Sequence, residues 1–138
     1  MNKVFYATDL QNDFFTGALP VPMASLLRNN IRDLTQYAYN KDIQIIGSVD
    51  KHSNKEELRF RQSELIENGG IFLPHCMEGT PGQDLIIEAN TRLKAFHVNY
   101  AEGFYNENLI KDCFKKKIPL YFEKQSYDVF SNKGVKRA

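Results

Sequence analysis

Three short apolar runs, each broken off at once by a polar cluster, set the frame for this chain. Val4 to Ala7 is followed by Asp9-Leu10-Gln11-Asn12-Asp13. Ile43 to Val49 gives way to Asp50-Lys51-His52-Ser53-Asn54, and Ile118 to Phe122 to Glu123-Lys124-Gln125-Ser126-Tyr127-Asp128. Short runs rich in β-formers and bounded by polar turns read as buried strands. Between the first two, Met23, Leu26, Leu27, Ile31, Leu34 and Ala38 recur at helical spacing, with Arg28, Asn29, Arg32 and Asp33 between them. This predicts a helix ending near Asn40 with its apolar side inward. Strand, helix, strand is the βαβ pattern of a parallel α/β sheet with a right-handed crossover.

The remaining elements are less regular. Lys55 to Glu67 is highly charged and predicts a short exposed helix, broken by Asn68-Gly69-Gly70. Ile71-Phe72-Leu73-Pro74-His75-Cys76 then leads into the turn Gly79-Thr80-Pro81-Gly82. Asn106 to Lys117 reads as an amphipathic helix with Leu109, Ile110, Cys113 and Phe114 inward, and Lys115, Lys116 and Lys117 suit its C-terminal dipole. Pro119 falls near the start of the third strand, where a missing N–H costs least. At 138 residues the chain is expected to form one domain, residues 1–138. Its net charge of +1 excludes the strongly basic field of most nucleic-acid binders. No apolar run approaches the roughly 20 residues of a bilayer span. The apolar N-terminal stretch is short and interrupted by Asp9, so no signal peptide is expected. Two cysteines are too few for a disulfide framework. A cytoplasmic protein, with no nucleic-acid or membrane partner, is the expectation.

In an open parallel sheet the ligand crevice lies outside the carboxyl ends of the strands. Asp9, the Asp50/His52 pair and Lys124 would all be delivered to that edge. In extended backbone the side chains of Asp50 and His52, two positions apart, point the same way and can reach one cation. His75, in its glycine-flanked turn, would be a third ligand. One oxygen and two nitrogens suit Zn²⁺, or Fe²⁺ or Mn²⁺ if waters complete an octahedron. The same residues also fit an exposed Asp and His at a strand end, with His75 packing on its own. Asp9 and Lys124 fit either a buried pair that positions a nucleophile and takes its proton, or a structural salt bridge. Asp13 reads as a cap or turn residue. Phe14 and Phe15 are core residues, unless one stacks on a flat ring at the crevice. Cys76 adjoins His75 in sequence, but adjacent residues seldom face each other as nucleophile and base. Cys113 reads as a small core hydrophobe.

Taken together these segments resemble the isochorismatase-like cysteine hydrolases. Asp9-Leu10-Gln11-Asn12-Asp13-Phe14-Phe15 with Gly17-Ala18-Leu19 is similar to their first motif, and Ser48-Val49-Asp50-Lys51-His52 to their second. Asn68 to Cys76 with Gly79-Thr80-Pro81-Gly82 resembles the third, and Glu123 to Asn132 the fourth. The four occur in order over nearly the whole chain. The resemblance implies a three-layer α/β/α, Rossmann-like parallel sheet. Asp50, His52 and His75 match metal ligands of the nicotinamidase/pyrazinamidase branch, so a divalent metal is implied, Zn²⁺ first, with Fe²⁺ or Mn²⁺ as alternatives. Asp9 matches the general base, Lys124 the catalytic lysine and Phe14 a ring-contacting aromatic. The implied reaction is hydrolysis of a small amide, nicotinamide or pyrazinamide, to the acid and ammonia, as in pyridine nucleotide salvage. Lys51 stands where an aromatic or small residue is common, and Glu67 or Glu56 are candidates for a fourth ligand.

The family's nucleophilic cysteine lies late in the chain, in a Gly-Val-Ala-Thr-Asp-Tyr-Cys-like segment that also supplies the oxyanion hole. No counterpart is present up to Ala138, and neither Cys76 nor Cys113 takes its place. The expectation is therefore the first half or two-thirds of such a hydrolase, inactive in isolation for want of that cysteine: a truncated product, a fragment or one chain of a split protein. Strands missing from the C-terminal side would leave an apolar sheet edge uncovered, predicting a homo-oligomer, a complementing chain or poor solubility. Two further functions stay open: an inactive module that binds metal or ligand, and a hydrolase of another small amide or of the vinyl ether of isochorismate.

Overall fold

The computed structural model describes residues 3–100 and 107–135. Four strands, β1 (Val4–Thr8), β2 (Gln44–Asp50), β3 (Phe96–Val98) and β4 (Leu120–Lys124), form one parallel sheet in the order β1-β2-β4-β3. The three predicted strands appear within two residues of their expected starts. The three-residue β3 was not foreseen. In the register Thr8 pairs with Ser48 and Asp50 with Lys124, so the ends of β1, β2 and β4 lie side by side.

Helix α2 (Arg28–Asn40) covers one face of the sheet and α3 (Glu107–Lys116) the other. The short α1 (Asn12–Phe15) follows β1. Ala7, Ala38, Ile45, Val49 and Tyr121 form the core under α2, and Val98, Ile110, Cys113, Leu120 and Phe122 the core under α3. This is the expected three-layer α/β/α sheet. Gly47 makes the first core possible, because a Cβ there would lie 2.5 Å from the Tyr121 ring and 2.2 Å from Ala7 O. Both long helices stop in the same way. Asp42 and Lys117 take left-handed backbone (φ 51° and 56°), and the next N–H closes back on the helix: Ile43 on Ala38 O and Ile118 on Cys113 O, both at 2.9 Å.

Three expectations need correction. The helix foreseen from Met23 is split into a 3₁₀ turn, Ala24–Leu27, and α2. Its apolar side is not inward as a whole: Leu26, Leu27 and Leu34 are exposed while Ala38 and Thr35 are buried. The reason is that, among the described residues, α2 packs on β2, on the 3₁₀ turn before it and on the 87–89 turn, which leaves its outer flank exposed. The charged stretch from Lys55 folds as two 3₁₀ turns, Glu56–Arg61 and Ile66–Asn68, joined by a tight turn closed by Leu65 N on Gln62 O at 3.1 Å. In α3, Leu109 is 44% exposed, whereas Ile110 and Cys113 are buried; Asn106, expected to begin this helix, lies outside the described residues.

Candidate active site and metal centre

Each functional side chain is placed by a local device. Just past β1, Asp9 turns left-handed (φ 52°) while its N–H still donates to Ser48 O at 3.0 Å. Its carboxylate then meets Lys124 Nζ at 3.1 Å through Oδ2 and the Ser48 hydroxyl at 3.2 Å through Oδ1. Lys124, at the end of β4, also donates to Asp50 Oδ1 at the end of β2. Burial would depress the Lys124 ammonium, but the Asp50 and Asp9 carboxylates outweigh it and hold its pKa above the ordinary lysine value. Asp9 is raised, chiefly by burial and then by the charge of Asp50, with Lys124 opposing both. A carboxylate shifted toward neutrality beside an ammonium is suited to exchange a proton.

Beyond Asp50 the chain runs parallel to the 75–78 turn, with His52 N donating to Cys76 O and Glu78 N to His52 O. This brings the His52 and His75 rings to 4.7 Å, crossed at 67°. Glu64 closes the set. The glycine pair explains how: Gly69 is left-handed (φ 90°), and a Cβ on Gly70 would lie 2.1 Å from the Glu64 backbone. The chain can therefore fold back, with Ile71 N and Phe72 N both donating to Glu64 O. Asp50, His52, Glu64 and His75 are all buried, and one ligand atom from each lies within 4.8 Å of all the others.

The donor atoms suit a cation. Gln62 donates through Nε2 to Ser53 O and accepts from Ser53 N through Oε1, which fixes its amide orientation. His52 Nδ1, 3.2 Å from that Oε1, must then carry its proton there, leaving Nε2 to face the carboxylates. His75 Nδ1 likewise donates to Leu73 O at 2.8 Å and turns Nε2 inward, 3.6 Å from both Asp50 Oδ2 and Glu64 Oε1. Imidazoles tied down through one nitrogen are the usual preparation of metal ligands. His52 Nε2 lies 3.0 Å from Glu64 Oε1 but without hydrogen-bond alignment, and His52 Nε2 and Glu64 Oε2 are buried with no hydrogen-bond partner. Two oxygens and two nitrogens that converge without satisfying one another fit Zn²⁺, Fe²⁺ or Mn²⁺. Burial would lower His75, but its contacts with Asp50 and Glu64 push it up to about 10. Burial would raise Glu64, but the two imidazoles hold it down at about 2.

Both groups of residues open on one cavity of about 330 Å³, lined by Asp9, Lys124, Asp50, His75 and Glu64 on the polar side. Phe14, Phe72 and Tyr127 line its apolar side. The Phe14 ring stands edge-on to His75 with centroids 5.6 Å apart. A volume of this size can hold a small molecule.

The structure thus brings together all six residues singled out in the sequence: Asp9, Phe14, Asp50, His52, His75 and Lys124. The fourth ligand position is different. Glu67 and Glu56 are exposed and away from the cluster, and Glu64 occupies the place. Asp13 holds the local turn, accepting from Ala18 N at 2.9 Å, and is also a buried anchor that accepts from Cys76 N at 2.7 Å. Gly17 and Gly82 leave room for it, since a Cβ on either would lie within 2.1 Å of its oxygens. Cys76 is wholly buried, and burial together with Asp50 and Asp13 pushes its thiol pKa far up. Cys113 lies in the core under α3. Neither thiol lines the cavity.

No known family model matches the sequence, and no curated protein matches it significantly. Solved structures do match the fold. The pyrazinamidase/nicotinamidase of Streptococcus mutans superposes with a TM-score of 0.61 at 22% identity, over 94% of this chain and 60% of that one. The nicotinamidase of Bacillus subtilis gives 0.59 at 25% identity, over 95% and 60%. The chain has the isochorismatase-like fold. The pyrazinamidase of Pyrococcus horikoshii, solved in complex with zinc, shares this fold with a TM-score of 0.53 at 23% identity, over 88% and 69%. The chain spans about 60% of the length of the Streptococcus and Bacillus proteins.

Proposed function

We propose that this chain carries the base, lysine and metal-ligand part of a nicotinamidase-type amide hydrolase, acting on nicotinamide or a similar small heteroaromatic amide. The observation that carries this reading is the convergence of the Asp9–Lys124 pair and the Asp50/His52/Glu64/His75 cluster on one small, aromatic-walled cavity. A divalent metal, Zn²⁺ first, with Fe²⁺ or Mn²⁺ as alternatives, would supply a Lewis acid beside the cavity. Asp50, His52, Glu64 and His75 would hold it. Phe14 and Phe72 would flank the ring, setting its plane against the polar wall. Asp9 would take the proton of the attacking nucleophile and pass it to the leaving ammonia. Lys124 would keep Asp9 oriented and offset the charge that develops beside it. The net reaction is amide plus water to carboxylic acid plus ammonia.

The test is ammonia release from nicotinamide by the purified chain, with and without a chelator. Release abolished by the chelator supports the reading, and neither release nor binding overturns it. A second reading is favoured by the position of the thiols, both outside the cavity. In it the chain binds metal and ring but depends on another polypeptide for the nucleophile. Calorimetric binding of nicotinamide without turnover would select that reading. A third, hydrolysis of another small amide or of the vinyl ether of isochorismate without metal, would be selected by elemental analysis showing no bound metal. A homo-oligomer or a complementing chain, in the cytoplasm, completes the proposal. Among the described residues no helix is long and apolar enough to cross a membrane.

A further inference from the structure

The residue that holds the Asp50 main chain lines no part of the cavity and offers no ligand atom to the cation cluster. In the β1–β2 ladder Asp9 N donates to Ser48 O, so Ser48 faces β1 with its main chain, and Asp50, two positions on, faces it too. A regular parallel ladder would give Asp50 N the carbonyl of Asp9 and Asp50 O the N–H of Gln11. Neither bond is made. Asp9 turns left-handed toward the cavity, and Gln11 N donates instead to Asp9 O at 2.8 Å. The Gln11 side chain fills both vacated positions. Its Oε1 accepts from Asp50 N at 2.7 Å and its Nε2 donates to Asp50 O at 2.7 Å. A second bond from Nε2, to Gln83 O at 2.8 Å, ties the carboxamide to the loop carrying the 81–83 turn. Gln11 is completely buried, so water does not replace these bonds.

We infer that Gln11 is a positioning residue: its carboxamide stands in for one rung of the β1–β2 ladder, so Asp9 can leave the sheet for the cavity while Asp50 stays fixed. The carboxylate held in this way is the one that links the two halves of the site, with Oδ1 on Lys124 and Oδ2 facing His75. A donor and an acceptor on one planar group are both required. Glutamate has the shape but not the donor, and would set its charge against the carbonyls of Asp50 and Gln83. The inference rests on the proposed metal-site reading for its consequence, and on the hydrogen bonds alone for its geometry.

The experiment compares the parent chain with Gln11→Glu, Gln11→Leu and Gln44→Leu. Gln44 is a buried glutamine at the opposite end of β2, bonded to Ile45 O and Ile118 O, and serves as the purely structural control. Zn²⁺ binding is measured by calorimetry, the Co²⁺ visible spectrum reports ligand geometry, and hydrogen exchange follows the Asp50 amide in the metal-free chain. Both Gln11 variants are expected to weaken Zn²⁺ binding by about 10- to 100-fold, the range seen when a hydrogen-bond partner of a metal ligand is removed, and to change the Co²⁺ spectrum. Gln44→Leu should lose thermal stability while keeping affinity and spectrum. The Asp50 amide should exchange at least about tenfold faster in Gln11→Leu, as expected when a buried hydrogen bond is lost. Parent-like exchange at Asp50 in both Gln11 variants, or Zn²⁺ affinity within twofold of the parent, would overturn the inference. A parent chain that binds no metal would instead overturn the proposed metal site, and the exchange result would still decide the role of Gln11. Gln11→Glu, the same size as the native residue, keeps the test open should Gln11→Leu fail to fold.

Discussion

Strands β1 and β2 are paired along five residues and are both largely apolar, yet they have opposite fates. Every residue of β2 except Ile46 is buried; in β1 only Ala7 is. Tyr6 pairs with Ile46 and so shares the α3 face of the sheet, but the core under α3 reaches from β3 across β4 to Ile46 and includes no β1 residue. On the α2 face the flank bearing Arg28 faces the 87–89 turn through the Arg28–Glu88 pair at 2.8 Å. At 100° per residue, Leu34 and Tyr37 fall on the other flank, and both are just over half exposed. The comparison teaches that burial follows from which neighbours a strand has, and that composition alone states only which neighbours it can accept. It also separates the site residues. Asp50, at the end of the enclosed strand, has a 4% exposed side chain and links the two halves of the site; Asp9, just past the open one, is 24% exposed and lines the cavity.

Lys124→Met should break the enclosed side most severely. It leaves the Asp50 carboxylate, and much of Asp9, buried without their counter-charge, and removing one partner of such a pair typically costs roughly 3–5 kcal/mol. Urea unfolding measures this directly. Adding Asp50→Asn to Lys124→Met should recover part of the loss, because the uncompensated charge is then gone; a double variant no more stable than the single would contradict the pairing.

The next contrast sets matched truncations on the two strands' surroundings. Leu120 is completely buried between β2 and β3, so Leu120→Ala should cost about 2–5 kcal/mol. Val4, 53% exposed, should lose no more than about 0.5 kcal/mol on truncation to Ala. Equal losses would mean that β1 is enclosed as β2 is. A smaller effect of a different kind is expected at Gly82, where an added Cβ would meet Asp13 Oδ2 at 2.1 Å. Gly82→Ala should cost about 1–3 kcal/mol, the usual range for overpacking. Because Asp13 holds Cys76 N, it should also disturb His75, lowering Zn²⁺ affinity in calorimetry.

How much of this was legible in the sequence follows the same division. The convergence of Asp9, Asp50, His52 and Lys124 could be read from strand ends alone, because each sits within three residues of a strand's last apolar position and a parallel sheet gathers those ends on one side. The paired helices and the buried Cys113 followed from periodicity. Glu64 could not be found in that way. It sits in a charged stretch that reads as a solvated surface, and its place depends on a long-range return of the chain to His75. The one local signal was Gly69-Gly70, five and six positions on, which permits that fold-back. Gln11 was hidden for a related reason: the ladder position it fills exists only because Asp9 leaves the sheet. The outward flank of α2 was misread because periodicity names the apolar side of a helix without saying whether anything covers it.

The smallest change in stability should come with the largest change in association. An unpaired strand edge flanked by apolar side chains invites pairing with another chain unless charge or proline guards it, and Val4–Thr8 has neither. Tyr6→Lys and Leu34→Lys place a charge on each face beside that edge at positions that are half exposed or more. Each should alter the unfolding free energy by no more than about 0.5 kcal/mol. If the native chain self-associates through β1, light scattering on the double variant should show a monodisperse monomer where the parent shows larger species. A parent that is itself a stable monomer at the same concentration would mean that the open side of the sheet is not adhesive. The contrast between β1 and β2 would then be one of burial only, without consequence for partners.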